Sequence, residues 1–73
     1  MPAVPLLRPQ EAVRAFEKHG WQVARQRGSH IVLTKVEHVA TLSIPDHREV
    51  AGGTLRVLIS KAGLTAEEFL AAL

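Results

Sequence analysis

The dipeptide Gly28-Ser29 separates two short runs of β-forming residues near the middle of the chain. The run before it covers 21–26, and the run after it, His30–Thr34, is rich in β-branched residues. Glycine adopts the backbone angles of a tight turn without a steric penalty, so this break predicts a short connection between two strands. Strands joined by so short a connection pair antiparallel. The predicted hairpin therefore limits where every other element can lie.

A third strand is predicted over Val39–Ile44, after a polar break at 35–38. Its residues alternate between an apolar face with Ala40, Leu42 and Ile44 and a polar face with Thr41 and Ser43. Pro45 is expected to end this strand, because proline has no N–H to donate to a neighbouring strand.

Helices are predicted on either side of the strands. The first covers about 9–19, since Pro9 suits a first helical turn and Gly20 supplies a left-handed stop. The second follows a permissive joint at Gly52-Gly53 and ends at Gly63. Its apolar stripe has the spacing i, i+3, i+4 and i+7 and consists of Leu55, Leu58, Ile59 and Ala62.

A short third helix is predicted over Phe69–Leu73. Thr65 and Glu68 have the spacing of a capping box, in which each side chain accepts a hydrogen bond from the backbone N–H of the other residue. The whole order predicts an α+β fold: a three-stranded antiparallel sheet with both main helices on one face, and a short C-terminal helix. The other face of the sheet is left for water or a partner. With 73 residues and no repeat, we expect one domain over 1–73.

The chain has no cysteine, so neither disulfides nor thiolate metal sites are available, as suits a reducing cytoplasm. No apolar run approaches the ~20 residues of a membrane span, and the N-terminal residues lack the pattern of a signal peptide. We therefore expect an intracellular, soluble protein without membrane contact.

The charges are distributed unevenly, although the net charge is only +2. Arg25 and Arg27 stand just before His30, whereas Glu67 and Glu68 lie near the other end of the chain. Such an asymmetry favours an anionic partner on one face, and nucleic acid is a common partner of this kind. Surface basicity that serves only solubility is the simpler alternative.

His30 is the main candidate for chemistry. RNA cleavage needs a base for the 2′-hydroxyl, an acid for the leaving oxygen and donors for the phosphate charge. An imidazole fills either proton role near neutral pH, while Ser29, Arg25 and Arg27 offer donors to phosphate. Gly28 lets a ligand approach the backbone closely. An exposed strand histidine without a catalytic role is the alternative from these residues alone.

Other polar residues are given smaller roles. His19 is expected to interact with the C-terminus of the first helix, and His38 to lie in an exposed connection. Arg56, in the first turn of the second helix, is a candidate contact for one phosphate. The four histidines lack the close spacing of a helical or zinc-finger metal site, so no metal or other cofactor is predicted.

Three segments together resemble the HicA family of small RNA-cleaving toxins. They are Gly28-Ser29-His30, Pro45-Asp46-His47 and Gly53-Thr54-Leu55-Arg56, and the likeness runs from about Gln10 to Phe69. The resemblance implies a fold like the double-stranded-RNA-binding domain, with the order α-β-β-β-α. It also implies that His30 is the catalytic residue and that His47 matches the family's Pro-x-His. Many members have a second histidine where this chain has Ile31.

The function implied by the resemblance is that of an mRNA interferase, an endoribonuclease that needs no metal. Its expected partners are single-stranded message and a HicB-like antitoxin that covers the active face. His47 is expected either to contact RNA, with Asp46 orienting it, or to brace the start of the second helix. Two alternatives belong to other classes: a non-catalytic RNA-binding module on the same fold, and a protein-interaction domain that uses the uncovered sheet face.

Overall fold

The computed structural model describes residues 3–73, which form three helices and one three-stranded sheet. The elements in chain order are α1 (Pro9–Glu17), β1 (Gln22–Arg27), β2 (His30–Thr34), β3 (Leu42–Pro45), α2 (Gly52–Lys61) and α3 (Ala66–Ala71). The sheet order is β1-β2-β3, and both strand pairs are antiparallel. The predicted α+β fold with an antiparallel sheet and a short C-terminal helix is confirmed.

The helices cover one face of the sheet because that face is apolar. Leu33, Leu42 and Ile44 are all fully buried, and they belong to the same cluster as the apolar residues of α1 and α2. Helix α3 completes this cluster with Phe69, whose ring centroid lies 4.8 Å from that of Phe16 on α1. The apolar stripe predicted for α2 is buried as expected.

Strand β3 is shorter at its start than predicted. It begins at Leu42 and not at Val39, whose side chain is fully exposed. The preceding backbone follows a local turn instead, in which Glu37 has a positive φ of 63° and the Ala40 N–H donates to His38 Nδ1 over 3.3 Å. Ala40 is therefore outside the strand, and the apolar face of β3 consists of Leu42 and Ile44.

Pro45 is the last residue of β3 and lies opposite His30, so the strand ends one residue later than predicted. Proline is tolerated there because β3 is an edge strand. The N–H that Pro45 lacks is replaced by that of the next residue, since Asp46 N donates to Ser29 O over 2.6 Å.

Helix α1 ends at Glu17, two residues before the predicted end. The chain then turns through Gly20, which has the predicted left-handed conformation with φ of 93°. His19 contacts two helices: its backbone N–H donates to Phe16 O in the last turn of α1 over 2.9 Å, and its Nε2 donates to the backbone oxygen of Glu68 over 3.0 Å. The side chain of His19 thus joins the end of α1 to α3, a contact that the sequence did not predict.

The glycines at the start of α2 lie within the helix and do not form a joint before it. A Cβ on Gly52 would lie 3.0 Å from the Val4 carbonyl oxygen, whereas a Cβ on Gly53 would meet nothing within 4 Å. Gly52 therefore permits close packing of the N-terminal segment on α2.

Helix α3 begins at Ala66 and not at Phe69, because Thr65 is its N-cap. The predicted capping box is present: Glu68 N donates to Thr65 Oγ1 over 3.1 Å, and Thr65 N donates to Glu68 Oε1 over 2.8 Å. Among the helices described for 3–73, none has the length and apolar character needed to cross a membrane.

The two glycines of α2 provide a matched pair of substitutions. We expect Gly53→Ala to raise the free energy of unfolding by up to about 1 kcal/mol, because alanine is the better helix former and has open space. Gly52→Ala should be less stable than Gly53→Ala, because the Val4 carbonyl must shift. Urea unfolding of both variants checks this, and equal gains would contradict the close approach.

The capping box of α3 predicts a pH dependence. Hydrogen bonds from the backbone and side chain of Thr65, with the charge of His19, hold the pKa of Glu68 below its ordinary value. A depressed carboxyl pKa stabilises the folded state above the unfolded pKa, about 4.3, and this contribution is lost as the pH falls through the folded pKa. Glu68→Gln keeps a capping box but does not titrate.

We therefore expect the stability difference between the natural protein and Glu68→Gln to shrink as the pH falls from 7 towards 3. Unfolding in urea at several pH values measures it. A difference that stays constant with pH would show that the carboxylate charge of Glu68 does not stabilise the cap.

Candidate functional site

The sheet face away from the helices carries a polar depression of about 400 Å³. Its lining residues come from all three strands and the segment before β3, and they are Arg25, Arg27, His30, Val32, Thr41 and Ser43. We call this surface the open face. It holds the catalytic candidate and the arginine pair predicted from sequence, together with the two hydroxyl residues predicted for the polar side of the third strand.

The position of the arginines on the open face depends on an irregularity in β1. Val23 lies opposite Leu33, and the next pair joins Arg25 to Val32, so that Ala24 is an extra residue between two consecutive pairs. An extra residue in one strand of an antiparallel pair is a β-bulge, and it changes which way the following side chains point.

Without this bulge, the arginines would point the other way. Val23 is paired with the buried Leu33 and so shares its face, and residues two apart on a regular strand point to the same side. A regular β1 would thus direct Arg25 and Arg27 towards the helices. The bulge reverses the alternation, so Arg25 and Arg27 face solvent beside β2, while Gln26 faces the helix side with Ile31.

His30 is exposed at the first position of β2, between Arg27 on β1 and Pro45 on β3. The Gly28-Ser29 turn before it has a positive φ of 55° at Gly28 alone, the sign pattern of a type II′ hairpin turn. Such a turn fits the twist of the two strands and fixes their register. His30 therefore stands at a defined corner of the depression, with a guanidinium directly across the strand pair.

Val32 forms the floor of the depression. Only 8% of its surface is exposed, yet it lies outside the main hydrophobic cluster, since it points away from the helices. Its neighbours across the sheet are Arg25 and Ser43. The polar side chains of the open face therefore surround an apolar centre, which allows a ligand with both charged and apolar parts.

The loop that carries His47 leaves the sheet next to His30. Pro45 is the strand partner of His30, and His47 follows two residues later and is exposed. Two Cα steps and one strand spacing place the Cα atoms of the two histidines within about 13 Å. Asp46 directs one carboxylate oxygen at β1, since its Oδ2 accepts a hydrogen bond from Gln26 Nε2 over 2.8 Å.

Arg56 belongs to a different part of the surface. It lines a depression between α2 and the start of α3 with Ile59, Ser60 and Leu64 among its neighbours. The structure thus brings Arg25, Arg27 and His30 together on the open face but places Arg56 in another depression.

His38 has a structural role. Its ring packs against that of Trp21 with centroids 4.9 Å apart, and it is half-buried. The predicted exposed position is wrong, because the turn before β3 folds the histidine onto the indole. Across 3–73 we find no cluster of three or more histidine or acidic side chains able to hold a metal ion.

Gln26 is the residue of this region that sequence reasoning missed. Nothing in the sequence around Gln26 indicates that its side chain points to the opposite face from that of Arg27. Its partner Asp46 lies twenty residues away in the chain. Only the pairing of all three strands brings these side chains together.

The family model described as HicA toxin of bacterial toxin-antitoxin matches residues 9–64, well over half of the chain. The match begins at the first residue of α1 and ends just after α2, so it includes the whole sheet and the open face. None of the curated proteins compared with the chain gives a significant match.

Proposed function

The chain belongs to the HicA family of toxins from bacterial toxin–antitoxin systems, and we propose that it is an endoribonuclease that cuts message without a metal. Membership of the family implies an antitoxin partner. The finer proposal, that RNA is cleaved and that His30 does the chemistry, is supported by one observation above all. The open face holds an exposed histidine beside two arginines, on a pair of antiparallel strands.

The arrangement suits phosphate chemistry. Arg25 and Arg27 lie two residues apart on β1 and on the same face, so both guanidinium groups can contact one stretch of RNA backbone. Val32 offers apolar contact to a ribose or base between them. Strand residues hold their side chains more precisely than loops, which favours catalysis because a small misplacement is costly.

The proposed reaction is an internal transfer of phosphate. The 2′-oxygen attacks the adjacent phosphorus, the bond to the 5′-oxygen breaks, and the products carry a 2′,3′-cyclic phosphate and a 5′-hydroxyl. One proton leaves the 2′-hydroxyl and one reaches the 5′-oxygen, and His30 supplies one of these transfers as base or acid. Arg27, directly across from His30, stabilises the charge that builds on the phosphate.

His47 is the proposed second group. Its loop begins at the strand partner of His30, which brings the backbone of the two residues close together. Ile31, at the place of the second histidine of many family members, faces the helix side and packs on the core. In this chain, a side chain at position 31 is therefore not available to the open face, and His47 is the candidate that remains.

The antitoxin is proposed to be HicB-like and to cover the open face. Exposed arginines beside His30 favour an acidic surface on such a partner, which would compete with RNA for the same cations. The proposed place of action is the cytoplasm, where message is found.

The second candidate function is a non-catalytic RNA-binding module. The same arginine pair favours it, since two exposed guanidinium groups beside an apolar floor can bind the phosphate backbone of RNA without any catalysis. Incubation of the purified protein with labelled RNA separates the two: cyclic-phosphate ends support the nuclease, and retarded but intact RNA supports the binding module. Intact and unretarded RNA would contradict both and favour a protein-interaction domain.

We expect His30→Ala to remain folded and to lose RNA cleavage. The side chain is exposed, and surface changes away from special features usually alter stability by less than about 0.5 kcal/mol. Loss of a proton-transfer group lowers the rate by a factor on the order of 10² to 10⁴. Single-turnover cleavage and thermal melting measure the two effects, each with and without EDTA.

One control variant, His47→Ala, accompanies this prediction. His47→Ala should lower the rate to a similar extent if it is the second proton-transfer group, and should mainly lower the melting temperature if it braces the loop. Full cleavage by His30→Ala, or activity that disappears with EDTA and returns with a metal, would contradict the proposed mechanism.

The arginine pair gives a prediction for RNA binding. Arg25→Ala with Arg27→Ala should weaken binding and flatten its dependence on salt, because each phosphate neutralised releases condensed counterions. For single strands, the slope of log affinity against log salt should decrease by about 0.7 for each phosphate that the variant no longer neutralises. Arg56→Ala is the matched control in another depression, and an unchanged slope for the double variant would place RNA elsewhere.

A further inference from the structure

The two histidine-bearing segments are joined by side-chain and backbone hydrogen bonds on the side of the sheet away from the depression. Gln26 Nε2 donates to Asp46 Oδ2 over 2.8 Å and to Gly28 O over 3.3 Å. Asp46 N in turn donates to Ser29 O over 2.6 Å. We call these three bonds the Gln26–Asp46 link.

The link connects three separate segments of the chain. Gln26 belongs to β1, Gly28 and Ser29 form the turn before His30, and Asp46 begins the loop that carries His47. The link adds hydrogen bonds between the end of β3 and the turn, where Pro45 has no N–H to donate. The amide of Gln26 has two N–H donors, and both have an acceptor here.

Gln26 does not share the open face with the depression. It pairs with Ile31, whose side chain packs on the core, and it lines the surface near Val13 and Val23. A contribution of Gln26 to RNA cleavage must therefore act through the groups that it holds.

We infer that Gln26 and Asp46 are positioning residues for the nuclease site. Their hydrogen bonds hold the segments of His30 and His47 in a fixed relation to the same nucleotide. This inference rests on the proposed function. Transfer of two protons at one phosphate requires both imidazoles in place at once, and displacement of one by about 1 Å can cost on the order of 10²-fold in rate. The link removes that freedom by tying both segments to β1.

The test is Gln26→Glu, which has the same shape but places a carboxylate against that of Asp46. Gln22→Glu is the matched control, since it adds the same charge to the exposed start of the same strand. We expect Gln26→Glu to lower the single-turnover cleavage rate on the order of tenfold. Its affinity for 2′-O-methyl RNA, which this chemistry cannot cut, should stay within about twofold of Gln22→Glu, because both variants add one equal charge.

Asp46 gives an independent comparison. Asp46→Asn keeps an oxygen that accepts from Gln26, whereas Asp46→Ala removes it, so Asp46→Asn should retain more of the cleavage rate than Asp46→Ala. Equal rates for Gln26→Glu and Gln22→Glu, or equal losses for both Asp46 variants, would overturn the inference. A loss explained by a lower melting temperature would also overturn it, because the link would then serve only stability.

Amide hydrogen exchange measures the effect of the link even if the natural protein does not cut RNA. The Asp46 amide should exchange faster in Gln26→Glu than in Gln22→Glu, because the segment that it joins is released. If cleavage is absent in the natural protein, the proposed function fails. The exchange rate then tests the link by itself: faster exchange of the Asp46 amide in Gln26→Glu supports a link that positions the His47 loop, and unchanged exchange overturns it.

Discussion

The open face exists because β1 changes its alternation at Ala24. One extra residue between two neighbouring strand pairs turns Arg25 and Arg27 to the side of His30, while Val23 stays on the helix side of the sheet. A regular strand would direct both arginines to the helix side of the sheet, away from His30. The bulge thus gives one strand two orientations: Val23 faces the helix side before Ala24, and both arginines face the open side after it.

The division of the sheet into two faces also explains the packing. The helices all pack on one side, where Leu33, Leu42 and Ile44 are buried with Phe16 and Phe69. A chain of this length buries only roughly 60% of the surface of its unfolded state, so most of its apolar side chains are needed in the core. Val32 is the exception, buried on the open face beneath polar side chains. Its position supports the proposal of a ligand with apolar as well as anionic parts.

The four histidines of the chain divide into two pairs with different surroundings. His19 joins α1 to the backbone of α3, and His38 packs on Trp21, so both hold the fold together. His30 and His47 are exposed on segments that meet at the end of the sheet. Spacing along the chain does not separate these pairs, because each histidine lies near a glycine, a turn or a strand end. Their neighbours in space separate them.

By itself, the sequence determined the elements and their order, because these depend on local signals. The Gly28-Ser29 turn, the left-handed Gly20 and Gly63, the α2 stripe and the Thr65 capping box were all readable, and His30 stood out from its neighbours and the family resemblance. The start of β3, the inward positions of His38 and Gly52, and the partner of Asp46 were not readable. Each depends on a contact between distant segments. The sidedness of β1 was decided in the same way: only the pairing of β1 with β2 shows that Ala24 is an extra residue, and hence that both arginines lie beside His30.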